Sequence, residues 1–252
     1  MIPNRLGSKT FRKRFTTLAL LAPLLVGLAA CNPTYKCRYE LTLVVDDGGK
    51  LVSGSSVRED WVRDTSNGLP SAGGLDEGTI GEATLVRLSN GRIIAVPLRG
   101  RTAVKGRPVP DFSPWRGSEY LIQGYGIASN EWKGGRNRAW DAIANIHKEP
   151  SVQLAMSEFP LLITFDHGNN PSGVTVVDPV KRAGGSERTV RVVSVSIRRT
   201  SKPIFQEQIE RTLPWVDDPG RGNLEGDAQG LPERAVGPLA SHLYPSDFKL
   251  QK

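Results

Sequence analysis

Ala83-Thr84-Leu85-Val86-Arg87-Leu88-Ser89-Asn90-Gly91-Arg92-Ile93-Ile94-Ala95-Val96-Pro97-Leu98 is the stretch that decides the fold class. Two β-rich runs flank Asn90-Gly91, a dipeptide suited to positive φ. The pattern predicts two antiparallel strands joined by a type I′ turn. Pro97 places the end of the second strand at an edge or rim. Upstream, Tyr39, Leu41, Leu43 and Val45 alternate with Arg38, Glu40 and Thr42. That period of two puts the apolar set on one face of a strand and the polar set on the other. Asp46-Asp47-Gly48-Gly49 supplies a turn, and Leu51 to Trp61 returns as the partner strand.

Downstream, Pro160 to Phe165 reads as a short apolar strand and Thr189 to Arg199 as the longest one. Val193, Val195 and Ile197 share one phase, Val190 and Val192 the other, which predicts a β-bulge near 192. Helical patterns are few. One is capped by Asn137 and runs to about His147; another covers Ile204 to Arg211 and is stopped by Leu213-Pro214-Trp215. Glycines and prolines spaced through 64–81 and 100–137 predict long loops. The second loop holds Phe112, Trp115, Tyr120, Tyr125 and Trp132, rings that need burial and pin it. Gly54-Ser55-Ser56 predicts a strand bend where backbones approach closely. The expected architecture is mainly β: an antiparallel sandwich or open barrel with a few short helices and long Gly/Pro-rich loops. A sheet layered with helices is the alternative.

The 252 residues, 38% hydrophobic and 23% charged, describe a folded chain. Its first 30 residues read as an address. Arg5, Lys9, Arg12, Lys13 and Arg14 precede the apolar run Thr16 to Ala30, the charged and apolar regions of a secretion signal. The run is too short to span a bilayer comfortably. Leu28-Ala29-Ala30-Cys31 resembles the bacterial lipobox, which implies lipidation of the Cys31 thiol and acyl chains, palmitate among them, at the mature N-terminus. Asn32 is not the aspartate that retains many lipoproteins on the inner membrane, which favours the periplasmic face of the outer membrane. The expected organisation is a signal peptide over 1–30, a tether over 31–35, a globular domain over 36–216 and an extended or coil tail over 217–252. In that tail Leu239, Leu243, Tyr244 and Phe248 give a docking face.

The formal net charge of +7 resembles that of a nucleic-acid binder. Five of the 33 basic residues lie in the signal and none of the 26 acids does, leaving a net of +2 from residue 31 onward. Basic pairs such as Arg198-Arg199 are shorter than a nucleic-acid patch. Nucleic acid is therefore not an expected partner; the membrane, reached through Cys31, is, together with an envelope partner or ligand. With Cys31 acylated, Cys37 has no intrachain disulfide partner and reads as a buried or half-buried thiol. No cofactor motif is present, and no metal site is expected. Asp46-Asp47 and Asp217-Asp218 lack the ligand spacing of a calcium loop.

Glu40-Leu41-Thr42-Leu43-Val44-Val45 followed by Gly54-Ser55-Ser56-Val57 resembles the opening of a family of uncharacterised proteobacterial proteins. Its later motifs correspond to Phe165-Asp166, Asn170-Pro171, Val174, Val177-Asp178-Pro179, Ile197-Arg198-Arg199-Thr200, Ile209 and Leu213-Pro214-Trp215. The resemblance spans roughly 40–216. It implies a shared fold and carries no activity.

Two candidate sites follow. Asp166-His167, just after an apolar strand, offers a carboxylate and an imidazole for acid–base work, the basis of a hydrolase reading. Adjacent strand residues point to opposite faces, which favours a turn instead. A triad of Ser55 or Ser56 with His167 and Asp178 has no Gly-x-Ser-x-Gly elbow. Trp115, Tyr120, Tyr125 and Trp132 are candidates for a sugar or peptide groove, against a core that pins the loop. The leading expectation is an envelope-tethered binding or assembly protein without a recognisable catalytic motif.

Overall fold

The computed structural model describes residues 34–64, 75–101, 115–127, 132–133, 136–144, 150–166, 170–171, 173–179, 190–204, 209–217, 224, 239 and 243–250. Cys31 and His167 lie outside them. The chain is mainly β, with two antiparallel sheets, three short α-helices among the described residues and no closed barrel, consistent with a β-sandwich. The first sheet has six strands in the order β12-β3-β2-β1-β11-β8. These are Lys249–Leu250, Leu75–Glu82, Lys50–Asp64, Thr34–Asp47, Val190–Arg199 and Val152–Gln153. The second sheet has the order β10-β9-β5-β4, that is Val174–Val176, Ile163–Phe165, Ile93–Val96 and Thr84–Arg87. Two-residue strands β6 (Trp132–Lys133) and β7 (Arg136–Asn137) pair separately. The helices are α1 (Gly117–Gly124), α2 (Arg138–Ala144) and α3 (Ile209–Thr212). Of the described residues, 35–62 and those from 77 onward form one compact unit; 34, 63–64 and 75–76 belong to another, which contains an Arg63–Asp76 ion pair.

The β1–β2 hairpin follows its sequence. Tyr39, Leu41, Leu43 and Val45 are fully buried. Gly48 (φ 65°) and Gly49 (φ 94°) adopt the paired positive φ of a type I′ turn, and Asp46 accepts the Gly49 N–H at 2.7 Å. The β4–β5 connection differs from the expected type I′ turn. Gly91 N–H donates to Leu88 O at 3.0 Å and Leu88 N–H to Arg92 O at 2.9 Å. Gly91 has φ 84°. This is a three-residue loop closed by a bulge glycine. Asp47 accepts the Ser89 N–H at 2.7 Å, tying this loop to the end of β1.

The bulge in β11 lies where the change of phase put it. Val44 pairs Ser194 and Val45 pairs Val192, so Val193 is extruded. Val193 is exposed while Val192 and Val195 are buried, so it does not share the buried phase of Val195 and Ile197. Gly54 marks the expected close approach: a Cβ there would lie 1.9 Å from the Leu85 carbonyl oxygen.

Two apolar cores result. In one, the Tyr39 face of β1 meets Val86, Ile94 and Val96 of the second sheet and Leu121 and Ile143 of α1 and α2. The other lies on the opposite side of the second sheet, because β5 buries both faces: Ile93 and Ala95 leave the first core and enter the second. There they meet Phe165, Trp215 and the chain beyond 217, expected only as a docking tail. Leu224, Leu243 and Phe248 are fully buried. Trp215 and Phe248 meet edge to face, centroids 5.1 Å apart, with Phe165 5.8 Å from each. Phe248 O accepts the Ala83 N–H and Asp247 O the Leu98 N–H, both at 2.6 Å. Tyr244 is the exception among the four tail residues, being exposed. The described residues of the tail therefore form a structural layer. Phe248→Ala should cost about 3–5 kcal/mol, the usual range for a buried ring, measured by denaturant unfolding; a loosely docked tail would show almost no change.

Candidate functional site

β2 runs Ser56-Val57-Arg58-Glu59-Asp60, polar at every position but one, and all five residues are buried. Ser56, Arg58 and Asp60 share a face. Ser56 and Thr84 hydroxyls lie 2.7 Å apart. Arg58, fully buried, donates to Pro97 O at 2.9 Å and Val96 O at 2.6 Å, the end of β5. Asp60, also fully buried, accepts four hydrogen bonds. Tyr39 Oη (3.2 Å) and Thr79 Oγ1 (2.7 Å) reach Oδ1; Ser118 N–H (3.0 Å) and Ser118 Oγ (2.7 Å) reach Oδ2. Burial pushes the Asp60 carboxyl above its ordinary value, opposed by the donors from Ser118, Thr79 and Tyr39. The carboxylate also sits at the N-terminus of α1, where the helix dipole favours negative charge.

This network holds the walls of a cleft of about 350 Å³. Thr79 lines it from β3, Trp115 and Arg116 from the entry to α1, Arg99 from the segment after β5, and Tyr244 and Leu250 from the C-terminal layer. Its volume lies in the range of small-molecule sites, about 300–1,000 Å³. Tyr244 and Leu250 are 43% and 39% exposed, two of the few large apolar side chains at the surface. Each guanidinium has a carboxylate partner. Arg99 donates to Asp247 at 3.0 Å and stands 5.7 Å from the Tyr244 ring centre. Arg116 pairs with Glu77, and with Glu119 at 3.4 Å. The Asp247 carboxyl is raised by burial, against the Arg99 and Tyr244 N–H bonds that favour its charge. The cleft thus joins apolar surface to two fixed pairs of opposite charge.

Three of the four aromatic candidates have described side chains, and these three have different settings. Trp115 is buried, stacked on Tyr120 at 5.4 Å, edge-on to Tyr39 at 6.4 Å, and donates to Glu158 O at 3.0 Å. Tyr120 and Tyr125 pack against the first core. Tyr125 Oη accepts the Arg199 N–H at 3.2 Å and donates to Pro150 O at 3.1 Å. Of these three described side chains, Trp115 lines the cleft. Trp132 is described through its backbone, in the β6–β7 pair.

Asp166 is exposed and lies 3.3 Å from Arg92 Nε; His167, its proposed partner, is outside the described residues. Ser56 is buried against Thr84, and Asp178 is exposed. Cys37 is a free, buried thiol pushed up to about 12 by burial and by the Asp60 charge, with Arg199 opposing. It is therefore protonated at neutral pH. Among the described residues no group of three or more His, Cys, Asp or Glu is placed to hold a metal ion. No described helix is long and apolar enough to cross a membrane.

Tyr39→Phe removes a hydroxyl that both donates to Asp60 and accepts the Gly117 N–H at 3.3 Å. It should destabilise the fold by about 1–3 kcal/mol, the range for leaving a buried polar group without its partner. Equilibrium unfolding checks this, and an unchanged midpoint would contradict it. The chain matches no protein-family model, no curated protein and no solved structure.

Proposed function

We propose that this protein is a lipid-anchored component of a bacterial envelope, of the proteobacterial kind whose motif order it resembles, and that it binds its ligand in the Arg99–Arg116 cleft. The sequence over 5–31 supports the anchor: a basic segment, an apolar run, and small residues before Cys31. Acyl chains at that sulfur hold a protein stably on a bilayer when two or more are present.

The observation that carries the binding reading is the make-up of the cleft. Exposed Tyr244 and Leu250 stand beside two guanidiniums already oriented by Asp247 and Glu77. Such a surface suits a peptide segment, which presents an apolar side chain between groups of both charges. Preorganised side chains lower the entropy lost on binding. The ligand is then a segment of another envelope protein, and the role is binding or assembly.

In cells, a photo-crosslinking amino acid placed at Tyr244 should form one discrete adduct, and the same probe at exposed Leu51, in the β1–β2 hairpin, should not. Adding Cys31→Ser should abolish labelling by a palmitate analogue and reduce the adduct. Equal adducts from both positions would overturn the cleft assignment; persistent labelling of the Cys31→Ser chain would overturn the anchor.

A further inference from the structure

The face of the first sheet opposite its core carries a fixed cluster of charge. β1 alternates, so Lys36, Arg38 and Glu40 lie opposite the buried Cys37, Tyr39 and Leu41. Glu40 pairs with Arg198 across the β1–β11 ladder. Two carboxylates are almost covered: Glu40 and Glu59 have side chains 6% and 7% exposed. Each is covered by two cations. Lys36 (3.1 Å) and Arg38 (2.9 Å) lie on Glu59; Arg198 (2.8 Å) and Lys202 (2.7 Å) lie on Glu40. Arg38 also donates to Lys202 O at 3.2 Å, joining the halves. The four cations remain 35–48% exposed. Burial would raise both carboxyls, but the hydrogen bonds from these cations outweigh it and hold them below their ordinary values. Both acids are therefore charged at neutral pH, and the cluster keeps an excess of two positive charges. That equals the net charge of the whole chain from residue 31 onward.

We propose that this Lys36–Arg38–Arg198–Lys202 face rests on an anionic lipid surface, the headgroups of the membrane that holds the anchor. The proposal rests on the lipoprotein reading and adds an orientation to it. Lys36 follows Cys31 by five positions, a reach of at most about 18 Å even when fully extended. A lipid at Cys31 therefore keeps this end of β1 close to the headgroups, where a surface potential acts over about one Debye length, roughly 8–10 Å. The buried carboxylates fix the cations in place, so little side-chain freedom is lost on docking. Lipid phosphates then meet exposed N–H donors on a sheet face. Along β1 and β11 that face continues through Thr42, Val44, Ser194 and Ser196, uncharged side chains, to Asp46, whose charge is matched by Arg191 at 3.7 Å. A single lipid signal and a basic surface act together as two anchors do.

The full lipidated chain, purified in detergent, is reconstituted on vesicles of phosphatidylcholine alone and of phosphatidylcholine mixed equally with phosphatidylglycerol. Amine acetylation by a water-soluble reagent is followed at Lys36, Lys202 and Lys50, the last being exposed at the start of β2, past the turn that ends β1. Lys36 and Lys202 should react about fivefold more slowly on the anionic vesicles, the factor expected for one cation drawn to such a surface. Lys50 should not change, and high salt should erase the difference. Equal rates on both vesicles, or equal slowing at Lys50, would overturn the proposal. The mass of the N-terminal peptide reads the anchor separately. An acylated chain without selective slowing refutes the docking face alone. An unacylated chain that is still slowed selectively on anionic vesicles refutes the anchor and upholds the face; an unacylated chain with no slowing refutes both.

Discussion

A carboxylate with no access to water organises the centre of this molecule. Asp60 takes hydrogen bonds from Tyr39 of β1, Thr79 of β3 and both donors of Ser118 in α1, while its own backbone belongs to β2. A buried carboxyl left without partners is costly in either protonation state, and most of all when charged, so these donors have little freedom to move. Three strands and a helix are fixed to one another by that requirement. Arg58, two residues earlier on the same face, ties the same strand to the carbonyls at the end of β5. Polar contacts inside a mostly apolar core favour one arrangement over near alternatives.

The cleft is a by-product of that fixing. Thr79, which lines it, is held by Asp60; Trp115 and Arg116 enter α1 just before Ser118. The remaining wall comes from the C-terminal layer, where Asp247 accepts the Tyr244 N–H at 2.8 Å and receives Arg99. The opposite face of the first sheet holds cations over buried carboxylates. The protein therefore carries a cleft of mixed charge and apolar surface, and a basic face that begins at Lys36 of β1.

Strand pattern was the legible part of the fold. Alternation in β1 named its buried face residue by residue, and the phase change in β11 located the bulge, because both are consequences of a two-residue period. The β4–β5 hairpin was visible, although its loop closes through three residues, since Asn90-Gly91 suits both closures. Helix α1 reads as loop in the sequence because glycines bracket it. Those glycines are demanded by packing: a Cβ at Gly117 would meet the Tyr39 ring at 2.4 Å, and one at Gly124 would meet Val152 at 2.5 Å. Such a requirement arises between elements far apart in sequence and leaves no local signal. The tail escaped for a related reason: its buried residues follow no period, and β12 is two residues long. Of the site, Trp115 was legible as an aromatic. Arg99, Arg116 and Tyr244 come from separate segments, and only the fold joins them. Arg58 and Asp60 alternate with Val57 as surface residues do, so their burial could be read only from the structure.

A double-mutant cycle between Asp60→Asn and Ser118→Ala, followed by denaturant unfolding, tests the central carboxylate most directly. The account predicts that the two losses fall short of additive by more than about 1 kcal/mol, as for partners in one buried network. Additivity within about 0.5 kcal/mol, the behaviour of independent sites, would contradict it.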